Sequence, residues 1–98
     1  MKTVISPKVM LLAKGEEFSV KQMEAKAEDL LPKHLATAES VLVILEGECI
    51  LTIEDNEHRL KQGDNFVVPA KIVHQIRAIK NLKALHVMPN HIEFEFSK

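Results

Sequence analysis

Short apolar runs, separated by polar residues that favour turns, recur along most of the chain. Residues 41–45 form a continuous apolar run, which is typical of a strand buried on both faces. Further along, Ile92, Phe94 and Phe96 alternate with polar residues, as in a strand with one apolar face. Similar patterns predict strands over residues 49–53, 66–68, 72–79 and 82–88. Short strands at this even spacing favour an all-β barrel or sandwich.

The segment 18–27 is compatible with both a strand and a helix. Small or apolar residues alternate with polar ones over much of it, but its Met, Glu, Ala and Lys residues also favour a helix. We prefer a strand, because the surrounding sequence is rich in strand patterns and Pro32 closes the segment.

Turn-forming residues separate the predicted strands. Polar clusters with Gly, Asn or Asp occur at residues 46–48, 54–57, 62–65 and 80–81, and Pro69 ends the strand before it. We find no internal repeat, linker or low-complexity stretch. The pattern therefore predicts one domain that occupies residues 1–98.

The charge pattern and the short apolar stretches argue against two classes of partner, nucleic acids and membranes. Acidic and basic residues are interleaved and the net charge is −1, so the chain lacks the basic face that nucleic-acid binding requires. With four Phe and no Trp or Tyr, it has few rings on which bases could stack. No apolar stretch approaches the ~20 residues of a membrane helix. We expect neither a nucleic-acid nor a membrane partner.

The number of cysteines gives information on the cellular compartment of the protein. Cys49 is the single cysteine and lies in an apolar strand pattern, so we expect a buried thiol and no disulfide within the chain. The first residues contain too short an apolar run for a signal peptide. These features together predict a cytoplasmic protein.

Two sequence patterns between about residues 28 and 89 resemble the paired motifs of the cupin family. The first motif contains His-x-His and a Glu between two glycines. Aligned with it, His34 stands at the first His and Gly47 at the closing glycine. Ala36 replaces the second His and Ser40 replaces the Glu.

The second motif matches the chain more closely. Gly63, Pro69 and His74 fit it at full spacing. Lys71 replaces a glycine of this motif, as Glu28 does in the first. The resemblance implies a small single-domain cupin, with a β-barrel of the jelly-roll, or double-stranded β-helix, type over the whole chain.

The resemblance also implies a degraded metal site. Cupins that bind metal use three His and one Glu, and His34 and His74 stand at two of these positions. Ala36 has no donor atom, and Ser40 offers only a neutral hydroxyl. We therefore assign no metal ligands, and a divalent metal ion would need a third, non-standard group.

Two residues are candidates for that third group. Glu39 is one residue from the expected Glu, so its side chain points to the opposite face unless a bulge intervenes. His86 approaches the cavity only if the even-numbered residues of the strand 82–88 point inward. The opposite phase fits the sequence equally well.

Three functions follow from these observations. The first is binding of an unidentified small molecule in the barrel cavity, without a complete metal site. The second, by resemblance alone, is a metal-dependent dioxygenase or isomerase that uses His34, His74 and a non-standard ligand. The third is a structural or regulatory dimer that acts through its outer sheet. The predicted ligand-binding residues are His34, Ser40, Leu42, Ile44, His74, Ile76 and His86.

The apolar run 41–45 also predicts a homodimer. The motif register turns Ser40, Leu42 and Ile44 inward, so the alternate residues of the run must be covered from outside. Residues 9–12, the strand 92–96 or a second subunit could cover them. We expect a two-fold symmetric homodimer, because such a face would otherwise be a large exposed apolar patch.

Overall fold

The computed structural model describes residues 3–97 and contains only β-strands as regular secondary structure over that range. The strands are β1 (Lys8–Lys14), β2 (Phe18–Ala25), β3 (His34–Ala36), β4 (Ser40–Glu46), β5 (Glu48–Ile53), β6 (Asn56–Lys61), β7 (Asn65–Val68), β8 (His74–Ala78), β9 (Leu82–Pro89) and β10 (Phe94–Phe96). Within this part of the chain, no helix is long and apolar enough to cross a bilayer.

Two five-stranded antiparallel sheets face each other. Sheet I has the strand order β1-β2-β9-β4-β7, and sheet II has the order β10-β3-β8-β5-β6. From β2 onward the chain passes back and forth between the sheets, and only the β5–β6 hairpin joins consecutive strands of one sheet. This is the all-β jelly-roll fold that the sequence predicts.

The core lies between the two sheets. In β4, burial alternates along the strand, and Leu42 and Ile44 are almost completely buried. They belong to the same apolar cluster as Cys49 and Leu51 of β5, in the opposite sheet. The predicted inward direction of Ser40, Leu42 and Ile44 is therefore confirmed by their burial.

The other face of β4 is not covered. Val41 and Val43 are half-buried, and Leu45 is 36% exposed, so the prediction of a strand buried on both faces is wrong for the single chain. Neither predicted covering segment lies over this face. Residues 9–12 belong to β1, which extends sheet I at its edge, and β10 lies in sheet II.

The structure shows that segment 18–25 is a strand and contains three strands that the sequence did not predict. Residues 18–25 form strand β2, so the helical alternative is wrong. Three strands were not predicted, namely β1, β3 and β6. β3 has three residues and β6 is mostly polar, while β1 contains a short apolar run without alternation and is exposed along its whole length.

Backbone angles support the motif register. Gly47 and Gly63 have φ values of 90° and 92°, in the left-handed region that glycine tolerates best. Glu28 and Lys71 have φ values of 75° and 64°. These are the two remaining positions at which the cupin motifs carry glycine, so this chain keeps the backbone conformation at both positions after losing the glycine.

Candidate functional site

A cavity of about 330 Å³ lies between the sheets, and both sheets line it. Most of its wall is apolar, with Leu42 and Met88 from sheet I and Ile76 from sheet II among the contributors. Phe94 and Phe96 of β10 lie on the sheet II side. Because Phe96 is 63% exposed, its ring stands where the cavity meets the surface.

His34 and His74 face each other in this cavity. They are directly paired residues of β3 and β8, and their rings meet edge to face with centroids 4.4 Å apart. Phe94 packs against the His34 ring at 5.5 Å between centroids. The two imidazoles thus belong to a packed aromatic group and are held in place by it.

Backbone carbonyls set the tautomers of these two rings. Nδ1 of His34 lies 3.1 Å from the carbonyl oxygen of Pro32, and Nδ1 of His74 lies 3.1 Å from that of Ile72. Since a carbonyl oxygen only accepts, each Nδ1 carries the hydrogen and donates it. The Nε2 atom of each neutral ring is then left with a lone pair.

His86 is the third imidazole of the cavity. It is paired with Leu42 in the sheet register and lines the cavity, so the inward phase of β9 is the correct one. Its Nε2 lies 2.7 Å from Oγ of Ser40, with which it shares a hydrogen bond. Ser40, at the position of the family's Glu, therefore contacts an imidazole.

Burial keeps His86 neutral near pH 7. The pKa of His86 falls to about 4, mainly because of burial, with smaller contributions from the nearby His34, His74 and Lys21. Burial also lowers the pKa of His74; the hydrogen bond to Ile72 opposes that shift, and His34 adds to it. The site can therefore accept or donate hydrogen bonds without carrying charge on His86.

The predicted site residues occupy three kinds of position. The residues that line the cavity are His34, Leu42, His74, Ile76 and His86. Ser40 is buried behind them and reaches the site through His86. Ile44 lies in the core cluster and does not line the cavity, so its predicted place at the cavity wall is wrong. Ligand binding by these residues stays a prediction.

Sequence reasoning missed Lys21 and the role of β10 in the cavity. Lys21 is a polar residue in an alternating strand, and alternation alone does not say which face of the strand points inward. Phe94 was assigned only to the apolar face of its strand. Pairing of β10 with β3, which sets Phe96 opposite His34, brings that face to the cavity.

The residues present do not fit a metal centre. Over residues 3–97, no three His, Cys, Asp or Glu side chains are placed to hold one ion. His34 and His74 supply two Nε2 atoms, but Nε2 of His86 is bonded to Ser40 and Ala36 has no donor atom. Metal sites usually use at least three protein ligands. We derive no chemistry from a metal in this arrangement.

The thiol of Cys49 lies outside this site. Its side chain is completely buried in sheet II, as expected. Burial, with a smaller contribution from the neighbouring Glu48 carboxylate, raises the pKa of the thiol to about 11. Because the thiolate is the nucleophilic form, this cysteine is chemically inert near pH 7.

Fold and motifs together define a small cupin barrel, and comparison with known proteins establishes the family. The cupin domain model matches residues 20–88, which is more than half of the chain. This chain therefore belongs to the cupin family. The matched range contains the His34, His74 and His86 positions.

One curated relative is the uncharacterised protein MJ1618 of Methanocaldococcus jannaschii. The two are 38% identical over 53 residues, which are 54% of this chain and 42% of the relative. The match thus spans less than half of the relative's length, and it carries no information on activity.

Solved structures show the same fold. A cupin superfamily protein from Desulfitobacterium hafniense superposes with a TM-score of 0.78 at 20% identity, covering 91% of this chain and 82% of that one. Salicylate 1,2-dioxygenase from Pseudoaminobacter salicylatoxidans superposes with a TM-score of 0.85 at 12% identity, covering 99% of this chain and 31% of the dioxygenase. At such low identity these likenesses concern the fold alone.

Proposed function

We propose that this protein binds a small organic molecule in the cavity between its sheets, without a complete metal centre. One observation carries the proposal: His34, His74 and His86 come from three different strands and converge on one largely apolar cavity. An apolar pocket with a few convergent polar groups is the usual form of a ligand site.

The dimensions of the cavity support this proposal. Its volume of about 330 Å³ lies at the lower end of the range of small-molecule pockets. The Nε2 lone pairs of His34 and His74 offer two acceptors for a ligand donor. The hydrogen bond between His86 and Ser40 holds the third ring in one orientation.

A cavity-blocking variant tests the proposal. Val9 lines the cavity and is 55% exposed, so Val9→Trp fills the space from the surface without disturbing the core. Val4 is similarly exposed, at 50%, and does not line the cavity. In a thermal-shift screen of small metabolites, compounds that stabilise the wild type should stabilise Val4→Trp and not Val9→Trp. Equal stabilisation of both variants would contradict the proposal.

A metal-dependent dioxygenase or isomerase is the second candidate function. The observation in its favour is the Nδ1 hydrogen bonding of His34 and His74, since metal-binding histidines commonly donate their other ring hydrogen to a carbonyl. Elemental analysis of the purified protein tests it. Stoichiometric metal in the wild type that disappears in His74→Ala would favour the enzyme over the metal-free binding protein.

A homodimer is the third part of the proposal. The outer face of sheet I, which points away from the cavity, carries a row of directly paired valines: Val20, Val87, Val41 and Val67. Val43 and Leu85 form the next pair beside this valine row. A second copy of the chain, packed face to face, would cover the apolar area that the single chain leaves open. We also propose a cytoplasmic location, which the free thiol of Cys49 supports.

A further inference from the structure

The cavity is lined by one cationic side chain and by no acidic one among the described residues. Lys21 of β2 lines the cavity and is directly paired with His86 in the sheet register. Among residues 3–97, no Asp or Glu lines the cavity, and Lys21 is the one Lys or Arg that does. The site therefore presents a fixed positive charge together with apolar walls and imidazoles.

Lys21 has no acidic partner in the described part of the chain. The salt bridges there join Glu48 to Arg59 and Lys80, and Glu46 to Lys83. The Lys21 side chain is half-buried as a whole, and its positive charge contributes to the lowered pKa of His86. An anion that enters the cavity therefore finds one cationic partner, Lys21, and no competing carboxylate among the described residues.

We propose that the ligand is a small organic carboxylate with an apolar body, bound with its carboxylate at Lys21. This inference rests on the proposed function of the cavity and specifies the class of ligand. The carboxylate contacts the Lys21 and His86 side of sheet I. The apolar body packs against Ile76 and Phe94 of sheet II, which lie across the cavity.

Matched pairs of probes separate charge from shape. Benzoate and benzamide have nearly the same size and differ in charge, and isobutyrate and isobutyramide repeat the comparison with a smaller body. Methyl NMR of ¹³C-methionine-labelled protein reports binding, because Met23 and Met88 line the cavity and Met10 does not. Met10 therefore serves as an internal control in the same spectrum.

We expect at least one carboxylate to shift the Met23 and Met88 methyl signals and to bind at least about tenfold more tightly than its amide, the size of one charge-assisted contact. Lys21→Met keeps the length of the side chain and removes its charge, so it should abolish this difference. Lys21→Arg should retain it. Lys14→Met, which removes an exposed charge on neighbouring β1, should also retain it.

Each other outcome has a definite meaning. If amide and carboxylate bind equally to the wild type, the anion inference is wrong and the proposed cavity function stands. If no probe shifts the Met23 and Met88 methyls, both are wrong. Inorganic phosphate tests the apolar body: phosphate binding as tight as that of the carboxylates would overturn the assignment of an organic ligand.

Discussion

His34 and His74 meet edge to face across the β3–β8 pair, with ring centroids 4.4 Å apart. Each ring donates its Nδ1 hydrogen to the carbonyl two residues before it. The same local geometry thus orients two residues that lie forty positions apart in the chain. This pairing fixes two Nε2 acceptors in the cavity and is the structural basis of the proposed binding site.

Stability should fall at acidic pH because of His86. Its folded-state pKa of about 4 lies below the ordinary value of 6.5, so between these values the unfolded chain binds a proton that the folded chain excludes. The stabilisation is present above pH 6.5 and is lost as the pH falls toward 4. From pH 7.5 to pH 5, the loss from this group is about 2 kcal/mol.

His86→Gln removes this titrating group. Urea unfolding at pH 7.5, 6 and 5 should therefore give a flatter pH dependence in the variant, with about 2 kcal/mol less difference between the end points. His74 shifts in the same direction and leaves a residual slope in the variant. Parallel curves for wild type and variant would show that His86 is not held neutral by burial.

Gly47 and Gly63 should differ strongly in their tolerance of alanine. Both have φ near 90°, but a Cβ at Gly47 would lie 2.0 Å from the carbonyl oxygen of Asn81, whereas Gly63 has open space. Gly63→Ala should cost about 1–2 kcal/mol from backbone strain alone. Gly47→Ala should cost on the order of 4 kcal/mol or more, because the backbone must also move. Similar unfolding midpoints for the two variants would refute this difference.

Replacing Lys71 by glycine should not destabilise the protein and should slightly stabilise it. Its φ of 64° is strained for a side chain, and its side chain is exposed, so substitution reports mainly on the backbone. Lys71→Gly should be neutral or up to about 1 kcal/mol more stable than the wild type, since the higher entropy of glycine in the unfolded chain offsets part of the gain. Lys71→Val should lose at least about 1 kcal/mol. The urea midpoint should be highest for Lys71→Gly, intermediate for the wild type and lowest for Lys71→Val. A higher midpoint for Lys71→Val than for Lys71→Gly would argue against strain at this position.

The valine row should hold the homodimer together. Val67 belongs to this row and is 57% exposed, so Val67→Glu places a charge in the proposed interface without disturbing the core. It should weaken dimerisation at least about 100-fold in sedimentation experiments. Val73→Glu makes the same change at a 40% exposed position just before β8 and should remain dimeric. Sedimentation of the wild type as a monomer at micromolar concentration would contradict the proposed homodimer.

Several features of the fold could be predicted from the sequence, because strong local signals mark them. The run 41–45 and the turns at Gly47 and Gly63 identify the strands around the core, and the motif spacing puts His34 and His74 at one site. Strands β1 and β6 were not predicted. Their side chains lack the alternation of a strand with one buried face, and the apolar run of β1 does not show by itself that it pairs at a sheet edge.

The site was only partly predictable, because the facing of single residues depends on strand register. A one-residue slip exchanges the two faces of a strand, so the sequence left the direction of His86 open and gave no signal for Lys21. Ile44 was expected at the cavity wall because it shares a face with Leu42. Along β4 the cavity extends to Leu42 and not to Ile44, although both residues are in the core. No local sequence pattern marks this boundary.

Methyl NMR of the methionines tests the central claim most directly, namely that the cavity binds an organic molecule and does not hold a metal. On addition of benzoate or isobutyrate, the Met23 and Met88 signals should move and the Met10 signal should stay. On addition of one equivalent of Mn²⁺, which broadens nearby signals, all three should remain sharp. Stronger broadening of Met23 and Met88 than of Met10 by one equivalent of Mn²⁺, with no response to either carboxylate, would contradict the account and establish a metal site.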